Sequence, residues 1–292
     1  MELSEQGVST NRGMIKRTFQ QKGVSYASEL AMKNLEDLLK VLEWNNSKGV
    51  RVYRMSSCLF PWMSEYEFEQ MPNYREVREA CERIGKYATE TGQRLSFHPG
   101  HFDILPSSNP EAVRRTVRDL DQHSQIMDMM GLRTDHYNTI NIHVGGAYGD
   151  KETTMQRFCE NFKLLQESAR QRLTVENDDK VNMYSAKDLQ AGVFSRIGIP
   201  IIFDYHHHRM CNGDLTEEEA LKLSATTWKE GIRPLTHYSS SKKLNEDTSS
   251  NHQAHADMIY EPINQYGLDI DIELEAKAKE RALFNYVKKF VI

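Results

Sequence analysis

The chain has few of the features that mark secreted, membrane-spanning or polyanion-binding proteins. No apolar run approaches the roughly 20 residues that a membrane-spanning helix needs. The N-terminal stretch Met1–Gln6 lacks the basic start and the apolar middle of a signal peptide. The few cysteines never form a CxxC pair, so we expect free thiols in a reducing compartment. This in turn predicts an intracellular protein that is not secreted. The cysteines are Cys58, Cys81, Cys159 and Cys211.

Positive charge is also scarce. With 37 lysines and arginines against 42 aspartates and glutamates, the formal net charge is −5, whereas a passive polyanion binder is usually basic. This balance does not exclude an enzyme that meets nucleic acid locally, because bound divalent cations would offset a cluster of carboxylates. Linkers rich in glycine or proline and low-complexity tracts are missing as well, so residues 1–292 are interpreted as a single domain.

Short apolar runs alternate with helical patterns along the chain. Such alternation is typical of a parallel sheet, and the length fits an α/β barrel of the TIM (β/α)8 type. One strand fewer than a full barrel is predicted, because the first 25 residues read as a polar loop. The predicted strands are Val50–Ser57, Arg94–His98, Thr139–His143, Arg172–Glu176, Pro200–Asp204, Arg233–His237 and Asp269–Glu275. The predicted helices are Tyr26–Asn46, Asn73–Thr91, Pro110–Met130, Thr153–Gln171, Ser185–Ile197, Thr216–Lys229 and Lys277–Lys289.

Six of these strands end in a histidine or a carboxylate. In a parallel barrel the C-terminal strand ends meet at one mouth, so these side chains are expected to converge there. One histidine at a strand end would be weak evidence, and the prediction depends on six strands ending this way. Three imidazoles and three carboxylates form a ligand set for two or three divalent metal ions. The residues are His98, His143, Glu176, Asp204, His237 and Glu275.

Two further patterns strengthen the prediction of a metal site. His207 follows Asp204 by three residues, so one strand-end loop offers ligands to two neighbouring ions. Glu176 and Glu275 can each bridge two ions, because a carboxylate has two oxygens. His255 is a candidate for an additional ligand. Closely spaced ions suit phosphodiester hydrolysis, and this mixture of oxygen and imidazole ligands suits Mn²⁺, Zn²⁺ or Mg²⁺. One of the two histidines that flank His207 is a candidate for a supporting role. Three other histidines are predicted to lie on the surface: His123, His136 and His252.

Several of these segments together resemble the UV damage endonuclease family. The resemblance extends from Leu3 to Leu283 and implies a TIM barrel related to endonuclease IV. It also implies cleavage of double-stranded DNA immediately 5′ to ultraviolet photoproducts, with a cluster of metal ions, Mn²⁺ being the expected ion. The segments are Thr10–Arg12, Arg94–Gly100, His143–Gly149, Val175–Asp178, Asp204–His208 and Glu275–Glu280.

Residue by residue, the resemblance implies a ligand set, a catalytic set and a DNA-binding set. The ligands would be His98, His143, Glu176, Asp204, His207, His237, His255 and Glu275. The catalytic residues among them would be Glu176, His98, His143 and Glu275. The residues that contact DNA or the lesion would be His101, Phe102, Asn11, Arg12, Tyr148 and Lys277.

The pair His101 and Phe102 stands where the family uses two residues to probe the damaged site, commonly as Gln-Tyr. An aromatic on a loop at the mouth can stack on bases or wedge between them, although loop packing is an equal reading for Tyr148 and Phe102 taken alone. The glycines around Tyr148 fit either close backbone approach to a ligand or a tight turn. A monomer acting on damaged duplex DNA is expected.

The chain departs from the family pattern at three places. The family opens with a strand of Gly-Tyr type, which this sequence lacks ahead of Leu3. A family lysine that can be carboxylated and join the metal site aligns with Leu235, which cannot ligate a metal. A family histidine expected near Pro61–Ser64 is matched loosely by Glu65.

Three alternatives to a photoproduct-specific endonuclease stay open from the sequence. An abasic-site endonuclease of the endonuclease IV type would use the same metal chemistry on another lesion. A sugar isomerase on the same barrel also uses histidines and acids with divalent ions, but the loop aromatics favour a nuclease. A descendant without catalytic activity would bind metal without turnover.

Overall fold

The computed structural model describes residues 2–100 and 103–291. They divide into two compact units. The N-terminal unit comprises residues 2–142 and 160–173, and the C-terminal unit comprises residues 143–159 and 174–291. Within the described ranges, no helix is both long and apolar enough to cross a membrane.

The elements alternate between strand and helix, as the sequence predicts. The strands are β1 (Val52–Met55), β2 (Arg94–Phe97), β3 (Ile140–Ile142), β4 (Leu173–Glu176), β5 (Ile201–Asp204), β6 (Leu235–Tyr238) and β7 (Asp271–Leu274). The helices are α1 (Glu2–Glu5), α2 (Lys16–Ser47), α3 (Tyr74–Glu90), α4 (Pro110–Met129), α5 (Lys151–Phe162), α6 (Glu167–Arg172), α7 (Ala186–Leu189), α8 (Ser195–Ile197), α9 (Tyr205–His208), α10 (Glu217–Ala225), α11 (Lys242–Asn245) and α12 (Glu280–Tyr286). Short 3₁₀ helices at Met63–Glu65 and Phe68–Gln70, and π-helical turns at Gln190–Phe194 and Val287–Val291, complete the set.

In the N-terminal unit, β1 pairs in parallel with β2, and β2 with β3. Helices α2, α3 and α4 bury apolar stripes at helical spacing, such as Val77, Cys81 and Ile84 of α3. At one position in this unit, close packing leaves no room for a side chain and requires glycine. A Cβ on Gly85 of α3 would lie 1.7 Å from the carbonyl oxygen of Met130, so only glycine allows this close approach.

In the C-terminal unit, β4, β5, β6 and β7 pair in parallel in chain order. The register sets Asp204 of β5 beside His237 of β6, and His237 beside Glu273 of β7. Because the strands are parallel, their carboxyl ends lie at the same edge of the sheet. Strand order follows chain order from β1 to β7, which confirms the predicted repetition of strand, helix and parallel strand.

The structure corrects several predicted boundaries. Helix α2 begins at Lys16 rather than at Tyr26, with a break at Gly23, whose φ of 64° is left-handed. The helix predicted over 153–171 is two helices, α5 and α6, because residues 163–166 form a turn. The segment after Asp204 is a helical turn, α9, rather than a loop.

Two histidines that were predicted to lie on the surface are buried. His123 is 1% exposed on the inner side of α4, where its ring packs edge-on against Phe97 at 4.8 Å. His136 is 5% exposed, and its carbonyl oxygen accepts a hydrogen bond from the buried Arg94 guanidinium. The third, His252, is exposed as predicted.

Candidate functional site

Glu176, the last residue of β4, stands at the centre of a cluster of imidazoles in the C-terminal unit. Its side chain is buried. Its Oε2 lies 3.1 Å from His237 Nδ1 and 3.9 Å from His143 Nε2, and its Oε1 lies 3.2 Å from His207 Nδ1. A parallel sheet explains this arrangement, because Glu176 and His237 both come from strand ends at the same edge.

Asp204 is held in place from both sides of its peptide unit. The Asn177 side chain accepts a hydrogen bond from Asp204 N at 2.9 Å and donates one to Asp204 O at 3.0 Å. Asp204 Oδ1 caps α9 by accepting from His207 N at 2.7 Å. Its Oδ2 is buried and has no hydrogen-bond partner among the described residues, so it is left to face a ligand.

His237 connects this centre with β7. Its Nδ1 lies 3.6 Å from Glu275 Oε1, and its Nε2 lies 3.2 Å from Glu273 Oε2. Glu275 also approaches His255, whose Nδ1 is 3.5 Å from Glu275 Oε2 and 3.0 Å from the Glu275 carbonyl oxygen. The loop that carries His255 is fixed by an antiparallel bridge to Ser241. The C-terminal unit therefore brings together seven of the eight ligands predicted from the sequence.

The pKa shifts of the buried groups in this cluster favour positively charged imidazoles beside the carboxylate of Glu176. Burial by itself would raise the pKa of Glu176, but the neighbouring imidazoles, above all His237, hold that pKa well below its usual range. Burial would lower the pKa of His237, and Glu176 raises it well above the usual value. Burial would also lower the pKa of His207, and Asp204 is the main charge that raises it well above the usual value. Burial raises the pKa of Asp204, and Glu176 adds to that effect.

The donor set fits a divalent metal ion. Glu176, Asp204 and His237 each offer one ligand atom, and these atoms lie within 4.8 Å of one another. Two carboxylates and an imidazole form a mixed oxygen and nitrogen set of the kind that Mn²⁺, Zn²⁺ and Mg²⁺ accept. The buried Asp204 Oδ2 and the preference for positive charge both support a cation at this place.

The structure also describes three other predicted site residues. His98 follows β2 in the N-terminal unit, where its Nδ1 lies 3.2 Å from the carbonyl oxygen of Pro99. Tyr148 is 59% exposed, and Lys277 is exposed as well. His101 and Phe102 lie outside the described residues.

The two residues predicted at the N-terminal DNA contact differ in their surroundings. Asn11 is exposed, and its Oδ1 accepts a hydrogen bond from Ser9 Oγ at 2.7 Å. Arg12 forms an ion pair with Asp37 at 2.6 Å, so its guanidinium also has a structural partner. The DNA contacts of both residues stay predictions.

Sequence reasoning missed two acidic residues that touch the cluster. Asp178 Oδ1 lies 3.1 Å from His143 Nδ1, and Glu273 contacts His237 as described above. Asp178 follows Glu176 by two residues, so its place in the same strand-end segment was the available signal. Glu273 lies inside a strand of alternating polar and apolar residues, where a carboxylate is usually assigned to the solvent face.

Comparison with known proteins gives a family match across both units. The family model described as UV-endonuclease UvdE matches residues 8–291. A putative UV-damage endonuclease of Acanthamoeba polyphaga mimivirus is 31% identical over 308 residues, covering 100% of this chain and 89% of that protein. A UV DNA damage endonuclease of Bacillus pumilus is 36% identical over 266 residues, covering 88% of this chain and 80% of that protein. The chain spans 42% of the UV-damage endonuclease of Neurospora crassa, to which it is 32% identical over 92% of its own length.

Solved structures agree with the strand order. SacUVDE superposes with a TM-score of 0.84 at 30% identity, covering 98% of this chain and 94% of that chain. Endonuclease IV from Thermus thermophilus gives a TM-score of 0.58 at 13% identity, covering 86% and 93%, which bears on the fold alone. Together with the strand order, these matches confirm the α/β fold of the TIM-barrel class predicted from the sequence.

Proposed function

The chain belongs to the UV-endonuclease UvdE family of endonucleases, and from this membership we propose that it nicks damaged DNA immediately 5′ to ultraviolet photoproducts with the help of divalent metal ions. One observation carries the metal dependence: the ligand atoms of Glu176, Asp204 and His237 lie within 4.8 Å of one another. Glu176 and Asp204 stand in segments that resemble those of the family. The substrate is double-stranded DNA, the enzyme acts inside the cell, and it acts as a monomer.

The residues divide into those that would hold ions and those that would hold DNA. Bound at Glu176, Asp204 and His237, a divalent ion supplies a water of lowered pKa and positive charge for the phosphate. Asn177 and the α9 turn keep Asp204 oriented. Because the side chain is buried, its carboxylate has few other orientations available. The proposed ligand set, for two or three ions with Mn²⁺ preferred, is His98, His143, Glu176, Asp204, His207, His237, His255 and Glu275.

His98 is included because it follows a strand and stands in a shared motif, and it joins Glu176, His143 and Glu275 in the proposed catalytic set. Leu235 is buried on β6 and offers no ligand atom. Tyr148 and Lys277 are exposed, and in this proposal the first contacts DNA by stacking and the second by charge.

Cleavage of a defined duplex tests this proposal. Duplexes that carry one photoproduct, one abasic site or no lesion are incubated with the protein in MnCl₂, and the products are mapped at nucleotide resolution. We expect a single nick directly 5′ to the photoproduct, lost in EDTA. The matched control is Glu218→Gln, which changes an exposed acid of α10 in an ion pair with Lys222 and should cleave like the parent.

The same panel contains the results that would overturn the proposal. Cleavage of only the abasic duplex would assign the enzyme to a different lesion. Equal cleavage in MnCl₂ and in EDTA would rule out the metal dependence. No cleavage of any duplex by folded, metal-loaded protein would indicate a chain that has lost catalytic activity.

A further inference from the structure

Glu273 is a buried carboxylate that stands next to the proposed metal ligands without belonging to them. It lies in the middle of β7 and is 6% exposed. Its Oε2 is 3.2 Å from His237 Nε2, the distance of an ion pair with a protonated imidazole. Burying a carboxylate is costly unless it is paired, so the contact with His237 is a specific one.

The sheet register explains why these two side chains meet. His237 of β6 and Glu273 of β7 are aligned partners in the parallel ladder, so both side chains leave the same face of the sheet. By the period of two residues, Leu235 precedes His237 on that face and Glu275 follows Glu273. Leu235 is 1% exposed and carries only hydrocarbon, so β7 rather than β6 supplies the additional carboxylate here.

The contact assigns a role to each nitrogen of His237. An imidazole whose Nε2 donates a proton to Glu273 presents Nδ1 as its lone-pair donor. Nδ1 is the nitrogen that faces Glu176 Oε2 at 3.1 Å and Glu275 Oε1 at 3.6 Å. Carboxylates that accept from the second nitrogen of a metal-binding histidine fix the ring and raise its basicity.

We propose that Glu273 is a positioning residue that accepts a hydrogen bond from His237 Nε2 and thereby fixes Nδ1 as the nitrogen that binds the divalent ion. The inference depends on the proposed metal-dependent function, because it assigns the orientation of one of its ligands. It adds a residue that lies outside the predicted ligand set.

Three variants distinguish a role of Glu273 in orienting His237 from a general disruption of the site. Glu273→Ala removes the acceptor, and Glu273→Gln keeps an acceptor oxygen while losing the charge. Asp271→Asn is the matched control, because Asp271 lies on the same strand but pairs with Arg233 at 3.1 Å. Far-UV circular dichroism and thermal melts identify variants that fold.

Two measurements are made on each variant. Isothermal titration with MnCl₂ gives affinity and stoichiometry. Nitrogen-15 NMR of histidine-labelled protein in ZnCl₂ identifies the tautomer of His237, assigned by comparison with a His237→Gln variant. We expect Glu273→Ala to lose about 10- to 100-fold in Mn²⁺ affinity and to lose the fixed Nε2-protonated tautomer. Glu273→Gln should lose only a few fold, and Asp271→Asn should match the parent.

Other results overturn the inference in distinguishable ways. If the parent binds Mn²⁺ and Glu273→Ala keeps the same affinity and the same His237 tautomer, the role of Glu273 is contradicted and the metal-dependent function still stands. An equal loss in Glu273→Gln and Glu273→Ala would mean that the carboxylate ligates the ion itself. An equal loss in Asp271→Asn would mean that any change in β7 disturbs the site. A parent that binds neither ion would overturn this inference and the metal-dependent function together.

Discussion

Glu176 carries the sharpest prediction at the scale of single residues. It is buried and meets three imidazoles, so no water molecule can replace its carboxylate without altering the positions of its neighbours. We expect Glu176→Ala to abolish cleavage of the photoproduct duplex while the circular dichroism spectrum stays that of the parent. Activity within tenfold of the parent, a change below about 1.4 kcal/mol in the barrier, would be too small for a central ligand.

Asp103 predicts a pH dependence of stability in the N-terminal unit. Burial, with the Asp119 carboxylate adding to it, raises the pKa of Asp103 to about 7, against the opposing effect of His123. Burial would lower the pKa of His123, but Asp119 outweighs it and the net shift is upward. For a group with a raised folded pKa, the stabilising contribution is complete below the unfolded pKa and is lost as pH rises through the folded pKa.

For Asp103 this window extends from the ordinary value of 3.8 to about 7, and the His123 contribution is also lost with rising pH. Asp103→Asn should therefore gain stability relative to the parent as pH rises from 5 to 8, by roughly 2–3 kcal/mol. Urea unfolding at several pH values measures this difference, with Glu218→Gln as the control. A difference that does not vary with pH would contradict the assignment.

Single residues also show where sequence reasoning succeeds and fails. Glu176, Asp204 and His237 could be predicted because a strand end is a recognisable place and parallel strands share one edge. The contact of Glu273 with His237 could not be predicted, because it depends on the register between β6 and β7, which no local pattern specifies. His123 was wrongly predicted to be exposed, since its polarity concealed its place on the inner side of α4.

At the scale of elements, we propose that His101 and Phe102, which follow the predicted strand ending in His98, govern lesion recognition. The double variant His101→Ala, Phe102→Ala should lose preference for damaged over intact duplex while still binding Mn²⁺. Stacking contributes ~1–3 kcal/mol per base, so the affinity for damaged duplex should fall roughly five- to a hundred-fold. Paired binding titrations at one salt concentration measure the ratio. An unchanged ratio would assign these residues to loop packing.

Packing between α3 and the end of α4 gives a second prediction at this scale. A methyl group on Gly85 would collide with the Met130 carbonyl oxygen, which is backbone and cannot rotate away. We expect Gly85→Ala to lower the free energy of unfolding by about 1–3 kcal/mol. Gly13→Ala is the control, because the nearest atom to its added Cβ would be 4.0 Å away. Equal stability of the two variants in urea would contradict this account of α3.

Elements with strong local signals were predicted well, and those set by tertiary contacts were not. Helix α4 begins at Pro110 as predicted, because Asn109 caps it and proline suits the first turn. The division of 153–171 into α5 and α6 was missed, since helical propensity continues through the turn. Helix α9 was missed because a single capped turn is too short for periodicity to show.

At the scale of the whole molecule, alternation of strands and helices was enough to predict the parallel fold class. The single-domain interpretation stays a prediction, as do the ion count and the monomeric state. The net charge of −5 agrees with a protein that needs cations at its carboxylates and meets DNA only locally. In our proposal, specificity for damaged duplex then depends on a few exposed side chains rather than on the electrostatic field of the whole protein.

Metal binding should also stabilise the molecule as a whole. An ion that binds only the folded chain stabilises it by RT ln(1 + [L]/Kd), or about 2.7 kcal/mol at 100 times Kd. A cation bound among Glu176, Asp204 and His237 would offset the repulsion between the two buried carboxylates. We expect a rise in Tm of roughly 5 °C in MnCl₂ relative to EDTA, at ionic strength matched with KCl to remove general screening. Glu176→Ala should show almost none of this rise, and Glu218→Gln should show all of it. Equal melting temperatures for the parent in MnCl₂ and EDTA would mean that the cluster holds no ion and that its imidazoles balance the carboxylates alone.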